Sequence, residues 1–279
     1  MVSEKDLQQL DQPLKQQGLD VQGFESPRIL METVEENLVP LLDLAHRPVI
    51  SARQFSREQL IQISRLAAGY ETEPQRITRP LTGKILISAF YEPSTRTRLS
   101  FESAWHRLGG DIMSITDPAT TGIAKGESLF DVGEMLNHYG DMVVLRDSDE
   151  NAVYEMLEGL RIPIVNGGNG IDEHPTQAMA DIYTILKAHP GLAEPESMPD
   201  EKKIRIGIIG VPGRMRTIRS LLLYLSLFSA GIKEVVIISD DSDVFSDGQQ
   251  QELEKNGLYL SVTDNLDKEL PSLDVVYIN

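Results

Sequence analysis

The 279-residue chain carries 43 acidic against 26 basic residues, a net charge of −17, which argues against nucleic acid or an anionic membrane as partner. It has no cysteine, which excludes disulfides, thiolate metal sites and cysteine nucleophiles and is compatible with a cytoplasmic protein. With 41% hydrophobic residues it can build one large or two ordinary domains, and no apolar run is long enough to cross a membrane.

The first 47 residues are polar and rich in Gln and Glu, and they read as a mobile arm or a peripheral helix. Their start, MVSEKDLQQLDQPLKQQG, lacks the apolar stretch of a secretory signal. The chain becomes orderly at SREQ (56–59), a capping box that predicts a helix to about residue 69. Four apolar runs follow, KILISAF (84–90), DIMSIT (111–116), DMVVLR (141–146) and RIPIVNGG (161–168), and each reads as a strand. Helical patterns lie near 96–108, 128–139, 151–160 and 175–188. The first of these has an inner face of Phe101, Ala104, Trp105 and Leu108 and stops at Gly109-Gly110.

The runs are continuous rather than alternating, as in strands covered on both faces, and strand–helix alternation implies a parallel α/β sheet. A Pro-rich, charged stretch at 189–203 reads as a hinge between domains. The alternation then restarts with KIRIGIIG (203–210), a helix near 217–230, EVVIISD (234–240), a helix near 246–256, LYLSVT (258–263) and DVVYIN (274–279). The fold class is therefore two consecutive parallel-sheet α/β domains. The second ends on a strand with no helix after it, so it reads as incomplete at its C-terminus.

Four segments carry chemistry. EPSTRTR (92–98) joins a strand to a helix, and open α/β sheets bind ligands at that edge. Backbone N–H groups, the hydroxyls of Ser94, Thr95 and Thr97 and the planar fork of Arg96 suit a phosphate there. Arg98, two residues on, fits a structural ion pair. The alternative is a capped helix start with solvated arginines. In GNGIDEHPTQ (168–177), Pro175 suits a first helical turn, which puts His174 at the N-cap and Gln177 one turn on. A neutral imidazole there can steady negative charge on a carbonyl oxygen, or can simply pack against a loop. His46, His106, His138 and His189 have no such context.

TTGIAKGESLFD (120–131) is a polar loop in which Lys125 either reaches a phosphate or points to solvent, and Arg146 ends a strand at the ligand edge. GIIGVPGRMRTIRS (207–220) resembles a dinucleotide loop with the wrong glycine spacing, and Asp240 and Asp241 come later than such a loop requires. Arg214, Arg216 and Arg219 can meet a 2′-phosphate, which keeps an NADP-dependent oxidoreductase open. Arg216 and Thr217 at a helix start suit a carboxylate equally well. Neither a metal cluster nor a nucleophile–base pair emerges, and no cofactor is expected. The set fits acyl transfer from an acyl phosphate to an amine by positioning and electrostatics.

STRTRLSFE, KGESLFD, NGGNGIDEHPTQ and GRMRTIRSL together, in this order, resemble the aspartate/ornithine transcarbamylase family from about residue 48 to the last residue. The resemblance implies transfer of the carbamoyl group of carbamoyl phosphate to an amino-acid amine. HPTQ and GRMRT favour the aspartate branch, an early step of pyrimidine synthesis. It implies a carbamoyl phosphate-binding domain over 48–188, a linker over 189–203 and a partial amino-acid-binding domain over 204–279.

By the same resemblance, Ser94, Thr95, Arg96 and Thr97 cradle the phosphate. Arg96, Arg146 and His174 address the carbamoyl oxygen, and Gln177 holds the carbamoyl amino group. Arg216 and Thr217 grip the α-carboxylate of the acceptor. Thr121, where the family usually has serine, and Lys125 reach into a neighbour's site in a homotrimer, and Asn169 stands where an aspartate is common. The family continues after DVVYIN with an Arg-x-Gln segment that this chain does not contain, which leaves open another acceptor amine or a phosphate-binding homologue without turnover.

Overall fold

A computed structural model describes residues 27–73, 77–194 and 198–278. The first 26 residues of the expected arm, residues 195–197 of the expected linker and the final Asn279 lie outside them. The described part of the arm is packed at its start, while most of residues 35–47 are exposed. Helix α1 (Pro27–Thr33) buries Leu30, and Val34 behind it joins the same core. After the short α2 (Val39–Leu42), α3 (Arg57–Thr72) opens with the expected capping box, Gln59 N–H donating to Ser56 Oγ and Ser56 N–H to Gln59 Oε1.

The first sheet contains β1 (Ile85–Phe90), β2 (Asp111–Ile115), β3 (Met142–Asp147) and β4 (Ile164–Asn169). Helices α4 (Thr95–Arg107), α5 (Leu129–Leu136), α6 (Ala152–Gly159) and α7 (Pro175–Ala188) lie between and after them. All pairings are parallel, in the order β2-β1-β3-β4. β1, β3 and β4 are buried on both faces, as their continuous apolar runs require. β2 differs: it is the edge strand and leaves Met113 exposed. α4 beside it buries no residue completely. Phe101 and Trp105 pack on Leu86, Phe90 and Val144, while Ala104, expected on the inner face, is exposed and faces the cleft described below.

The second sheet contains β5 (Ile204–Ile209), β6 (Ile232–Ile238), β7 (Leu260–Thr263) and β8 (Val275–Ile278). Its order is β7-β6-β5-β8, again all parallel. The connections carry α8 (Arg216–Leu227), α9 (Gln249–Lys255) and α10 (Leu266–Glu269).

α8 is apolar nearly all round, and the fold explains why. One side covers the second sheet, and the other packs on α7, so Ile182, Ile185 and Leu186 share a core with Leu221, Leu222 and Tyr224. Phe55 meets Tyr224 edge to face at 6.1 Å. The stretch expected as a hinge begins with a turn that buries Leu192 and Ala193 in this core.

This topology places the site. In each sheet the chain runs outward from a central strand in one direction, then returns to its other side. The first sheet reverses between β1 and β3, the second between β5 and β8. Ligands bind beyond the carboxyl ends of strands at such reversals. Here both reversals open onto one cleft.

Candidate active site

The cleft has a volume of about 1300 Å³. From the first unit it is lined by Ser94, Arg96, Thr97, Arg146, His174 and Gln177, and from the second by Arg214, Arg216, Thr217 and Tyr277. Six of the nine residues expected at the carbamoyl phosphate site are therefore brought together with both residues expected at the acceptor site.

The loop after β1 bends at Tyr91 and Glu92 and starts α4 at Thr95, with Ser94 at the N-cap. The Ser94 side chain makes no capping bond, so the first-turn N–H groups stay open to an anion. Arg96 is exposed in that turn and has no acidic partner among the described residues. Arg98 forms the expected structural pair, 3.2 Å from Glu102 within the helix.

Arg146 at the end of β3 is 8% exposed, its Nη1 donating to Gly167 O (3.2 Å) and its Nη2 to Glu92 Oε1 (2.8 Å). Arg216, the first residue of α8, donates to both oxygens of the same carboxylate, Nη1 to Oε2 at 3.0 Å and Nη2 to Oε1 at 2.9 Å, and also to Gly170 O. One glutamate thus clasps a guanidinium from each unit across the cleft. Burial pushes the Glu92 carboxyl up, but the hydrogen bonds and charges of Arg216 and Arg146 outweigh it and hold it below the usual range. Burial also lowers the Arg146 guanidinium, with Arg216 repelling it.

No local pattern in the sequence singles out Glu92. Substituting Glu92→Ala leaves the two cations facing each other without their anion. With Glu92 still 27% exposed, solvent screens part of the loss, and about 2 kcal/mol is expected. Calorimetry should show the unfolding midpoint fall by about 5 °C. An unchanged midpoint would mean the clasp contributes nothing.

His174 takes the N-cap of α7 ahead of Pro175, as expected, and is 5% exposed. Its backbone N–H donates to Ser220 Oγ of α8 (3.0 Å), and that hydroxyl donates to Glu173 Oε2 (3.1 Å). Glu173 also accepts from Ser51 Oγ (2.5 Å) and Ala52 N–H (2.7 Å), so three segments fix the backbone that carries the imidazole. Burial, then repulsion from Arg146 and Arg216, lowers the ring to about 4. Nδ1 is buried without a partner, which leaves Nε2 as the nitrogen open to the cleft.

Gly168 makes the crowding possible. It holds φ +109°, and a Cβ there would lie 3.0 Å from Arg146 Nη1, 3.2 Å from His174 Cδ2 and 3.3 Å from Arg216 Nε. Asn169, beside it, accepts from Asn166 Nδ2 (2.7 Å) and donates to Glu150 O (2.6 Å). An aspartate could not make the second bond.

Three expected residues stay outside the cleft lining. Thr95 is exposed at the first helical position. Thr121 caps its own loop, donating to Pro118 O (2.7 Å), and Lys125 is exposed at the end of a 3-10 turn. The dinucleotide alternative fails locally. The Met215 thioether fills the turn after β5, where a Cβ on Gly210 would lie 2.7 Å from Sδ, and Arg214 is paired with Asp241 at 2.9 Å. Among the described residues no cluster of His, Asp or Glu suits a metal, and no helix is long and apolar enough to cross a membrane.

Comparison with known proteins agrees with this geometry. Residues 47–187 match the family model described as aspartate/ornithine carbamoyltransferase, carbamoyl-P binding domain. An aspartate carbamoyltransferase catalytic subunit from Methanopyrus kandleri is 39% identical over 84% of this chain and 72% of its own length. One from Cellvibrio japonicus is 36% identical over 82% of this chain and 66% of its own. The crystal structure of Trypanosoma cruzi aspartate transcarbamoylase in complex with carbamoyl phosphate and aspartate superimposes with a TM-score of 0.77 at 32% identity, covering 86% of this chain and 74% of that one.

Proposed function

The chain belongs to the aspartate/ornithine carbamoyltransferase family, and on that premise we propose that it transfers the carbamoyl group of carbamoyl phosphate to the amine of L-aspartate, giving N-carbamoyl-L-aspartate and phosphate. The observation that carries this is the convergence of the two sheet reversals on one cleft, with an open helix start and Arg96 on one side and Arg216 and Thr217 on the other.

The phosphate sits at the start of α4, held by first-turn N–H groups, Ser94, Thr95, Thr97 and Arg96. The carbamoyl oxygen turns toward Arg146 and the Nε2–H of His174, and Gln177 takes the amino group. Arg216 and Thr217 hold the acceptor α-carboxylate, which requires Arg216 to share its guanidinium between that carboxylate and Glu92.

The neutral amine attacks the carbamoyl carbon, a C–N bond forms, and the carbonyl electrons move to an oxyanion that Arg146, Arg96 and His174 stabilise. The C–O bond to phosphate then breaks and phosphate leaves with the electron pair. Its growing basicity makes it the acceptor of the amine proton. The protein contributes position and field rather than a covalent partner.

The exposed loop with Thr121 and Lys125 fits completion of a neighbouring cleft in a homotrimer, which sedimentation at three times the chain mass checks. A cytoplasmic location follows from the same reading. A colorimetric assay for the ureido product tests the function, with carbamoyl phosphate and either aspartate or ornithine. Product with aspartate alone is expected. Product with ornithine alone would reassign the acceptor, and no product with either would overturn the proposal.

A further inference from the structure

We propose that Asp181 is a positioning residue that decides which end of the Gln177 amide faces the carbamoyl group, and that Tyr277 makes this decision depend on the second unit. The inference rests on the reading of Gln177 as the partner of the carbamoyl amino group.

Asp181 lies one turn after Gln177 on α7, and both line the cleft. Gln177 Nε2 donates to Asp181 Oδ1 at 3.1 Å. Tyr277, on β8 of the second sheet, donates its hydroxyl to Asp181 Oδ2 at 3.3 Å. Among the described residues no cation pairs with Asp181, so its carboxyl is not half of an ion pair. Burial raises this carboxyl above the ordinary aspartate range, and the hydrogen bonds from Gln177 and Tyr277 favour its ionised form without cancelling that rise.

The chemistry follows from what each group can offer. The two ends of a glutamine amide have nearly the same shape, so hydrogen-bond partners alone select its orientation. An ionised carboxylate only accepts. It therefore takes the NH2 end of Gln177 and leaves Oε1, to which no described residue donates, as the end available to a ligand. A carbamoyl NH2 only donates, and it matches that oxygen. A turned amide would set donor against donor. Through Tyr277, the matching orientation is supported when β8 sits against α7.

The discriminating probe is acetyl phosphate, which carries a methyl group where carbamoyl phosphate has its amino group. Calorimetric titration of the full chain with both acyl phosphates, and with inorganic phosphate, separates amide orientation from phosphate binding. Asp181→Asn keeps the shape but can donate as well as accept, so it frees Gln177 to turn. The preference for carbamoyl over acetyl phosphate should fall about tenfold, the scale of one hydrogen bond, with inorganic phosphate unaffected.

Tyr277→Phe should lower the preference by about threefold. The double variant Asp181→Asn/Gln177→Ala should be no worse than Gln177→Ala, because Asp181 acts through Gln177. An unchanged preference in Asp181→Asn, equal weakening of all three ligands, or additive losses in the double variant would each overturn the proposal. Failure of the unmodified chain to bind either acyl phosphate would overturn the reading of the site as well, and it would show before any variant is made.

Discussion

Arg96→Ala should weaken carbamoyl phosphate binding about a hundredfold while leaving the fold intact. The expectation comes from how the cations in the cleft are already engaged. Arg146 and Arg216 share Glu92, and Arg214 is paired with Asp241. Arg96 is the cleft cation with no acidic partner among the described residues, and it sits in the first turn of a helix whose N–H groups are open. In a chain of net charge −17, a dianionic phosphate meets long-range repulsion, and local donors must overcome it.

A charge-assisted, bidentate contact contributes about 1.5–3 kcal/mol, whereas the helix terminus alone contributes about 0.3–1 kcal/mol. Losing the guanidinium contact, the stronger of the two, should weaken binding about a hundredfold. Because Arg96 is exposed and makes no structural bond, the unfolding midpoint should move by less than about 2 °C. Calorimetric titration beside a thermal scan checks both. Near-native affinity would move the phosphate elsewhere in the cleft, and a large loss of stability would make Arg96 a folding residue.

What the sequence made legible was whatever local pattern encodes. Continuous Val and Ile runs bounded by turn residues placed β1, β3, β5 and β6 within two residues of where they lie, and the Ser56–Gln59 box and His174-Pro175 marked helix starts. The site residues that ride on those boundaries came with them. Where a strand's neighbours decide its environment, local pattern was silent: DIMSIT reads like a buried strand, yet β2 is an edge, and Ala104 looks inward on a helical wheel, yet α4 caps too little sheet to bury it.

Glu92 was invisible for a different reason. It is one of 43 acidic residues, and its meaning lies in arginines 54 and 124 positions away. The same holds for Glu173 with Ser51 and Ser220, and for Asp181 with Tyr277. Residues that join the two units have partners in both, and no periodicity within either can reveal them. Acids in a −17 chain read as surface until the fold pairs them.

His174→Ala should lower the turnover number about 10²–10³-fold with little change in carbamoyl phosphate affinity. That is the cost of losing one preorganised donor to a developing oxyanion. The structure separates this role from helix capping, because the His174 side chain makes no capping bond to α7, and the backbone N–H that binds Ser220 survives the substitution. Its ring donates as the neutral imidazole, because burial and repulsion from Arg146 and Arg216 hold it at about 4.

This depressed value also couples folding to pH. In the unfolded chain the ring titrates near 6.5, so between 6.5 and about 4 the unfolded state binds the proton that the folded state refuses. Folded stability from this residue is then complete above 6.5 and falls as the pH drops toward 4, by about 3 kcal/mol at the lower end. The His174 ring resonance should accordingly not move between pH 8 and 5.5, and turnover should show no loss assignable to this group over that range. A ring midpoint near 6.5 would mean that water reaches the imidazole. An unchanged turnover number in His174→Ala would reduce it to packing at a helix start.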